Sequence, residues 1–157
     1  MLQAVEMTEE YAAAISGWEY PAPYEIYSMQ ANQEEVEQLM NGLHRAVLDG
    51  AGQLTGFLAF GWAAQVRGKQ SRALYEDESY SDIALGLKPS LCGRGLGIDL
   101  VKCAVCFIKE LFPEDGVRLT VRADNFRARR VYEKAGFVLS RQFLHEDGKL
   151  YHTMTCP

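Results

Sequence analysis

A strand pattern over Tyr80–Leu87 passes through Lys88-Pro89 into Ser90-Leu-Cys-Gly-Arg-Gly-Leu-Gly97 and then directly into an apolar helical repeat. Glycines at alternate positions between a strand and a helix leave few architectures open. They aim loop N–H groups and the positive end of a helix at one point, which suits a phosphorylated ligand. Further along, Asn125-Phe-Arg-Ala-Arg-Arg-Val-Tyr-Glu-Lys-Ala-Gly-Phe137 reads as a second helix, with Gly136 placed to end it. Asn125, Ala128 and Tyr132 fall on one face of that helix, two turns from end to end. The two segments together are far more specific than either alone.

The remaining pattern supplies a sheet. Leu2–Met7 reads as a first strand, and Thr8 with Glu9 and Glu10 as a capped helix start, the helix running to Gly17. Trp18–Tyr27 is aromatic and carries Pro21 and Pro23, so it begins extended or turning. Glu34–Leu43 suits a short helix. Arg45–Asp49 and Leu54–Val66 form a hairpin around Asp49-Gly-Ala-Gly52, and the polar stretch Gly68–Glu78 reads as a loop. Gly95–Phe112 is the strongest helix, its narrow polar strip of Asp99, Lys102, Cys106 and Lys109 implying burial around most of its circumference. Cys106 should then be the more accessible of its two thiols. Val117–Val121 follows as a strand, and Val138–His145 with Leu150–Thr155 as a closing hairpin. The expected fold is α+β, an α/β sandwich of helices on both faces of a mixed, mainly antiparallel sheet, in a single domain spanning 1–157.

Composition narrows the function. With 157 residues the chain can bury one real core. The formal charge is −5 and no Lys/Arg stripe tracks a nucleic-acid backbone, so DNA and RNA are disfavoured as partners. An acidic surface instead favours a cationic small molecule or a basic peptide. No apolar run is long enough to span a bilayer, and the start lacks the basic and apolar regions of a signal peptide, so the expected location is cytoplasmic, with no membrane partner. Cys92, Cys103, Cys106 and Cys156 lack a second ligand pair at zinc spacing, which predicts neither metal nor disulfide.

The glycine loop departs from the dinucleotide fingerprint, because Ile98 stands where its last glycine belongs; Asp115 precedes the next strand rather than ending it. No Gly-Lys-Ser/Thr follows, which excludes a Walker loop. A nicotinamide-dependent enzyme is therefore the weakest reading.

With both segments in place, the chain resembles the GNAT superfamily of acetyl-CoA-dependent N-acetyltransferases. The resemblance rests on Cys92-Gly93-Arg94-Gly95-Leu96-Gly97 and on Asn125-x-x-Ala128-x-x-x-Tyr132-x-x-x-Gly136-Phe137, and element order extends it over the whole chain. It implies coenzyme A contacts from Leu85, Gly86 and Leu87, where an irregular backbone at Gly86 frees groups for the pantetheine arm. It implies further contacts from Cys92, Gly93, Arg94, Gly95, Leu96, Gly97 and Ile98 around the pyrophosphate, and from Asn125, Ala128 and Tyr132. Cys92 departs from the family, which places Gln or Arg there, so backbone N–H groups and Arg94 carry more of the contact.

The same resemblance makes Tyr132 the general acid for the leaving sulfur. A phenol with a pKa of about 10 is protonated at neutral pH and can donate. The base is less determined: Thr120 occupies the middle of Val117–Val121, leaving Asp82, Glu25 or a water chain. Trp18, Tyr20, Tyr24, Glu25 and Tyr27 are expected around the acceptor amine. Three readings follow: transfer of acetyl to a small-molecule or peptide amine, acetylation of a protein N-terminus or lysine, and a non-catalytic acyl-CoA sensor. A homodimer through the C-terminal strands is a further expectation by analogy.

Overall fold

The computed structural model describes residues 1–157. Seven strands form one sheet: β1 (Gln3–Glu6), β2 (His44–Leu48), β3 (Leu54–Phe60), β4 (Tyr80–Leu87), β5 (Gly116–Arg122), β6 (Val138–Leu144) and β7 (Leu150–Cys156). Their spatial order is β1-β2-β3-β4-β5-β7-β6, and only β4 and β5 run parallel. The helices are α1 (Glu9–Ser16), α2 (Gln33–Leu39), α3 (Gly97–Leu111) and α4 (Phe126–Lys134). This is the expected α/β sandwich around a mixed, mainly antiparallel sheet, and the sheet is open. No helix is long and apolar enough to cross a membrane.

Alternation along the strands decides which helices cover which face. Leu58 and Phe60 of β3, Ile83 of β4, and Val117, Leu119 and Val121 of β5 share one buried cluster with Leu100, Val101, Ala104 and Ile108 of α3. Ala128, Val131 and Tyr132 of α4 pack against that cluster. The opposite face carries Phe57, against which Trp18 packs at 6.2 Å between ring centroids; Trp18 belongs to a second cluster with Ala12, Ile15 and Leu39 of α1 and α2. Thr8 caps α1 by accepting from the Tyr11 N–H, and Asn32 caps α2 by accepting from Glu35.

Three elements have bounds whose departure from expectation has a clear backbone cause. β3 stops at Phe60 because Gly61, at φ 65°, turns the chain into a 3-10 turn over Gly61–Ala64. α2 begins at Gln33 and ends at Leu39, with Gly42 at φ 91° close behind. α3 begins at Gly97, since Gly93 and Gly95 adopt left-handed conformations no helix accepts. The 68–78 segment also contains a 3-10 turn, Arg72–Tyr75. Cys106 is exposed and Cys103 partly buried, as the polar strip of α3 predicts.

Candidate functional site

β4 and β5 pair from Tyr80↔Gly116 to Ile83↔Leu119 and then separate. Both strands continue, β4 to Leu87 along β3 and β5 to Arg122 along β7. The result is a V whose walls present strand backbone with no partner across the gap. A mainly apolar cleft of about 630 Å³ occupies it. Leu85, Gly86 and Leu87 line one wall, and Leu119, Thr120 and Val121 the other. Gly86 is not a point of irregularity, contrary to expectation, because β4 keeps regular register with β3 through Leu87. Glycine is required there because Phe57 lies directly opposite, and a Cβ would meet its ring at 2.1 Å. The freed backbone comes from the loss of β5.

The glycine loop closes the wide end of the V. Gly93 and Gly95 have φ 78° and 80° with open space where a Cβ would stand, a cradle able to admit a phosphate group. No side chain caps α3, and the N–H groups of Gly97, Ile98 and Asp99 have no protein acceptor. Gly97 is set by close approach: a Cβ would press on both Val131 methyl groups at 3.2 Å. Cys92, Gly93, Gly95, Gly97 and Ile98 line the cleft, whereas Arg94 and Leu96 do not. Arg94 is exposed; the cations that line the cleft are Arg127, Arg130 and Lys134, with Arg122 paired to Asp124 at 2.7 Å. Arg127 and Arg130 stand in the Phe126-Arg-Ala-Arg-Arg run, whose basic character was the one local signal for them. Cys92 turns its thiol back toward the Lys88 carbonyl at 3.7 Å, replacing a donor to a ligand with a weak tie to the strand end.

Asn125, Ala128 and Tyr132 all face the cleft. Asn125 is occupied twice: its Oδ1 accepts from the Ala128 N–H at 3.2 Å as the α4 cap, and its Nδ2 donates to the Tyr27 hydroxyl at 3.0 Å. Arg127 stacks over the Tyr24 ring at 3.8 Å. The segment between α1 and α2 thus clasps the start of α4 across the cleft mouth. Tyr20 joins the other wall, its hydroxyl donating to the Leu87 carbonyl at 2.7 Å. Tyr132 has no protein hydrogen-bond partner for its hydroxyl, and burial pushes its pKa up to about 12.

Of the residues expected around the acceptor, Tyr20, Tyr24 and Tyr27 line the cleft. Trp18 does not; it is 9% exposed in the α1–α2 core. Glu25 is exposed and outside the cleft lining. Asp82 lies on the sheet face away from α3, 4% exposed, where Arg118 holds it through Nε at 2.7 Å and a second nitrogen at 2.9 Å. Gln65 adds a third bond at 3.1 Å. Asp82, expected as a possible base, is thus committed to Arg118 and Gln65 and stands outside the cleft lining. Two residues past Arg118 on β5, Thr120 Oγ1 meets the Tyr75 hydroxyl at 2.7 Å, and that hydroxyl accepts from the Val66 N–H at 3.1 Å. This hydroxyl pair closes the narrow end of the V.

A GNAT acetyltransferase domain family model matches residues 3–138, and the chain belongs to that family. The chain is an acetyltransferase by this membership. Solved structures share the fold. The aminoglycoside acetyltransferase AAC(6')-Ib, in complex with coenzyme A, superposes with a TM-score of 0.76 at 22% identity, covering 98% of this chain and 94% of that one. A chimera of Vibrio cholerae spermidine N-acetyltransferase SpeG and hSSAT gives 0.72 at 16% identity, over 98% and 93%. A GNAT-family acetyltransferase from Bacillus anthracis gives 0.72 at 15% identity, over 99% and 93%. No curated protein sequence matches the chain.

Proposed function

We propose that the chain transfers the acetyl group of acetyl-CoA to a primary amine by direct transfer in a ternary complex. The observation that carries this reading is the continuous V, which joins an uncapped helix start and two left-handed glycines at one end to a hydroxyl pair at the other. The aminoglycoside and spermidine enzymes supply the analogy: the first is described with coenzyme A, and both are named for amine substrates.

The Gly93–Ile98 N–H groups and the α4 cations would hold the pyrophosphate and its neighbouring phosphate. Strand backbone at Leu85, Gly86 and Leu87 would receive the pantetheine arm. Bound acetyl-CoA supplies the acyl group: the amine nitrogen bonds to the acyl carbon, the carbon–sulfur bond breaks, and coenzyme A leaves as thiol. Tyr132, protonated throughout the neutral range, donates to the departing sulfur and regains a proton from water, matching the one the amine releases. No carboxylate lines the cleft, so the amine proton passes to water rather than to a side-chain base. Acetyl-CoA-dependent thiol release across a panel of primary amines tests the reading. Turnover of any amine supports it, and coenzyme A binding without turnover would assign the chain to the sensors.

We also propose a homodimer through β6. This is the sheet edge, and Val138, Leu139 and Leu144 are 63%, 49% and 59% exposed along it. A second copy pairing antiparallel would satisfy the open backbone row and cover these side chains.

A further inference from the structure

The chain carries 21 acidic against 16 basic residues, yet one cavity reverses that balance. It holds about 400 Å³ beside the β3–β4 connection, with Arg67, Lys69 and Arg72 on its walls, Gln65 and Tyr75 on its inner side, and Glu146 as its only carboxylate. The two ion pairs of the molecule are Arg118–Asp82 and Arg122–Asp124, so none of the three cations is neutralised. Arg67 lies over the Trp62 ring at 4.8 Å, which orients the guanidinium without removing its charge. The buried Ser71 fixes the loop beneath them, its hydroxyl donating to the Val66 carbonyl at 2.6 Å. Three cations against the single carboxylate of Glu146 leave a net positive charge whose members repel one another, and a bound anion relieves that repulsion.

Position gives this cavity its meaning. Tyr75 belongs to its wall, while the Tyr75 hydroxyl meets Thr120 at 2.7 Å and accepts from Val66. Thr120 and Val66 line the V-shaped cleft. The cavity and the inner end of the cleft are therefore separated by one hydroxyl pair. Beneath Tyr75, the Arg118 guanidinium at 5.2 Å from its ring and the paired Asp82 make a rigid floor.

We infer that this cavity is the acceptor subsite and that it selects a small primary amine bearing a carboxylate or phosphate. Arg67, Lys69 and Arg72 hold the anion while the amine reaches past Tyr75 to the cleft. The inference rests on the acetyltransferase reading and reverses the cationic acceptor that net charge alone suggests. The volume is at the small end for ligand pockets and suits a molecule of amino-acid size.

Matched pairs test it: tyramine against tyrosine, and ethanolamine against O-phosphoethanolamine. Thiol release should show a KM at least tenfold lower for the anionic member of each pair. Calorimetry on the coenzyme A complex should show the same order in direct binding. Arg72→Glu and Lys69→Glu, both at the surface, should each weaken binding of the anionic members at least tenfold while coenzyme A affinity confirms an intact fold. Preference for the members lacking the anionic group, or anionic binding that both variants leave untouched, overturns the inference. If anionic amines bind through Arg72 yet nothing is acetylated, the acetyltransferase reading falls and the anion subsite stands. Turnover of both members alike has the reverse meaning.

Discussion

Tyr132 keeps its proton well beyond neutral pH, because burial, with the Tyr27 hydroxyl nearby, pushes its pKa up to about 12. Replacing it by Phe removes the donor but leaves the ring against Phe137. We expect Tyr132→Phe to lower kcat by about 100-fold, in the range of general acid catalysis, with coenzyme A affinity within about twofold. The same shift links to stability. A folded pKa above the unfolded value of about 10 means stability is fully present below pH 10 and is lost as pH rises toward 12. Stability, read by denaturant unfolding across that window, should therefore fall less steeply in Tyr132→Phe than in the parent. Asp82 makes the opposite case. Asp82→Asn leaves Arg118 buried without its counter-charge and should cost about 3 kcal/mol in denaturant unfolding. Its kcat/KM profile against pH should keep the acid limb of the parent, set by the amine's own deprotonation. A limb displaced by the variant would restore Asp82 as the base. The Asn125/Tyr132 face was legible because a helix converts spacing into direction. The engagement of Asp82 was not, since its partners Arg118 and Gln65 lie on other elements and no local pattern joins them.

At the scale of elements, the strand–loop–helix unit was legible because glycine chemistry is local. Left-handed φ at Gly93 and Gly95 follows from residue type and context. The early end of β3 and the cations of α4 facing the cleft depend on how separate elements meet, which periodicity alone does not encode. Gly86 shows the difference. Sequence suggests a flexible strand end; the structure shows a regular strand with an aromatic ring filling the place of a side chain. Gly86→Ala should therefore destabilise by about 1–3 kcal/mol through overpacking against Phe57. Phe57→Leu in the same chain should recover part of that loss. Independent, additive effects in the double variant would show that the two positions do not contact.

For the whole molecule, the open sheet ends in β6, and an exposed apolar edge is a template for pairing. Sedimentation should report a dimer for the parent and a monomer for the double substitution Leu139→Lys with Leu144→Lys; a monomeric parent removes the proposal. The other notable seam is internal. The two parts of the sheet, β1–β4 and β5–β7–β6, meet along only four residue pairs, Tyr80↔Gly116 to Ile83↔Leu119, before the strands part. Mechanically this is a short weld between two plates, spanned on one face by α3. Load applied across the sheet concentrates at the last rung, Ile83↔Leu119, as at the tip of a crack. A molecule seated in the V would bear on both plates, whose residues Leu85–Leu87 and Leu119–Val121 line the gap, as a wedge held beside that last rung.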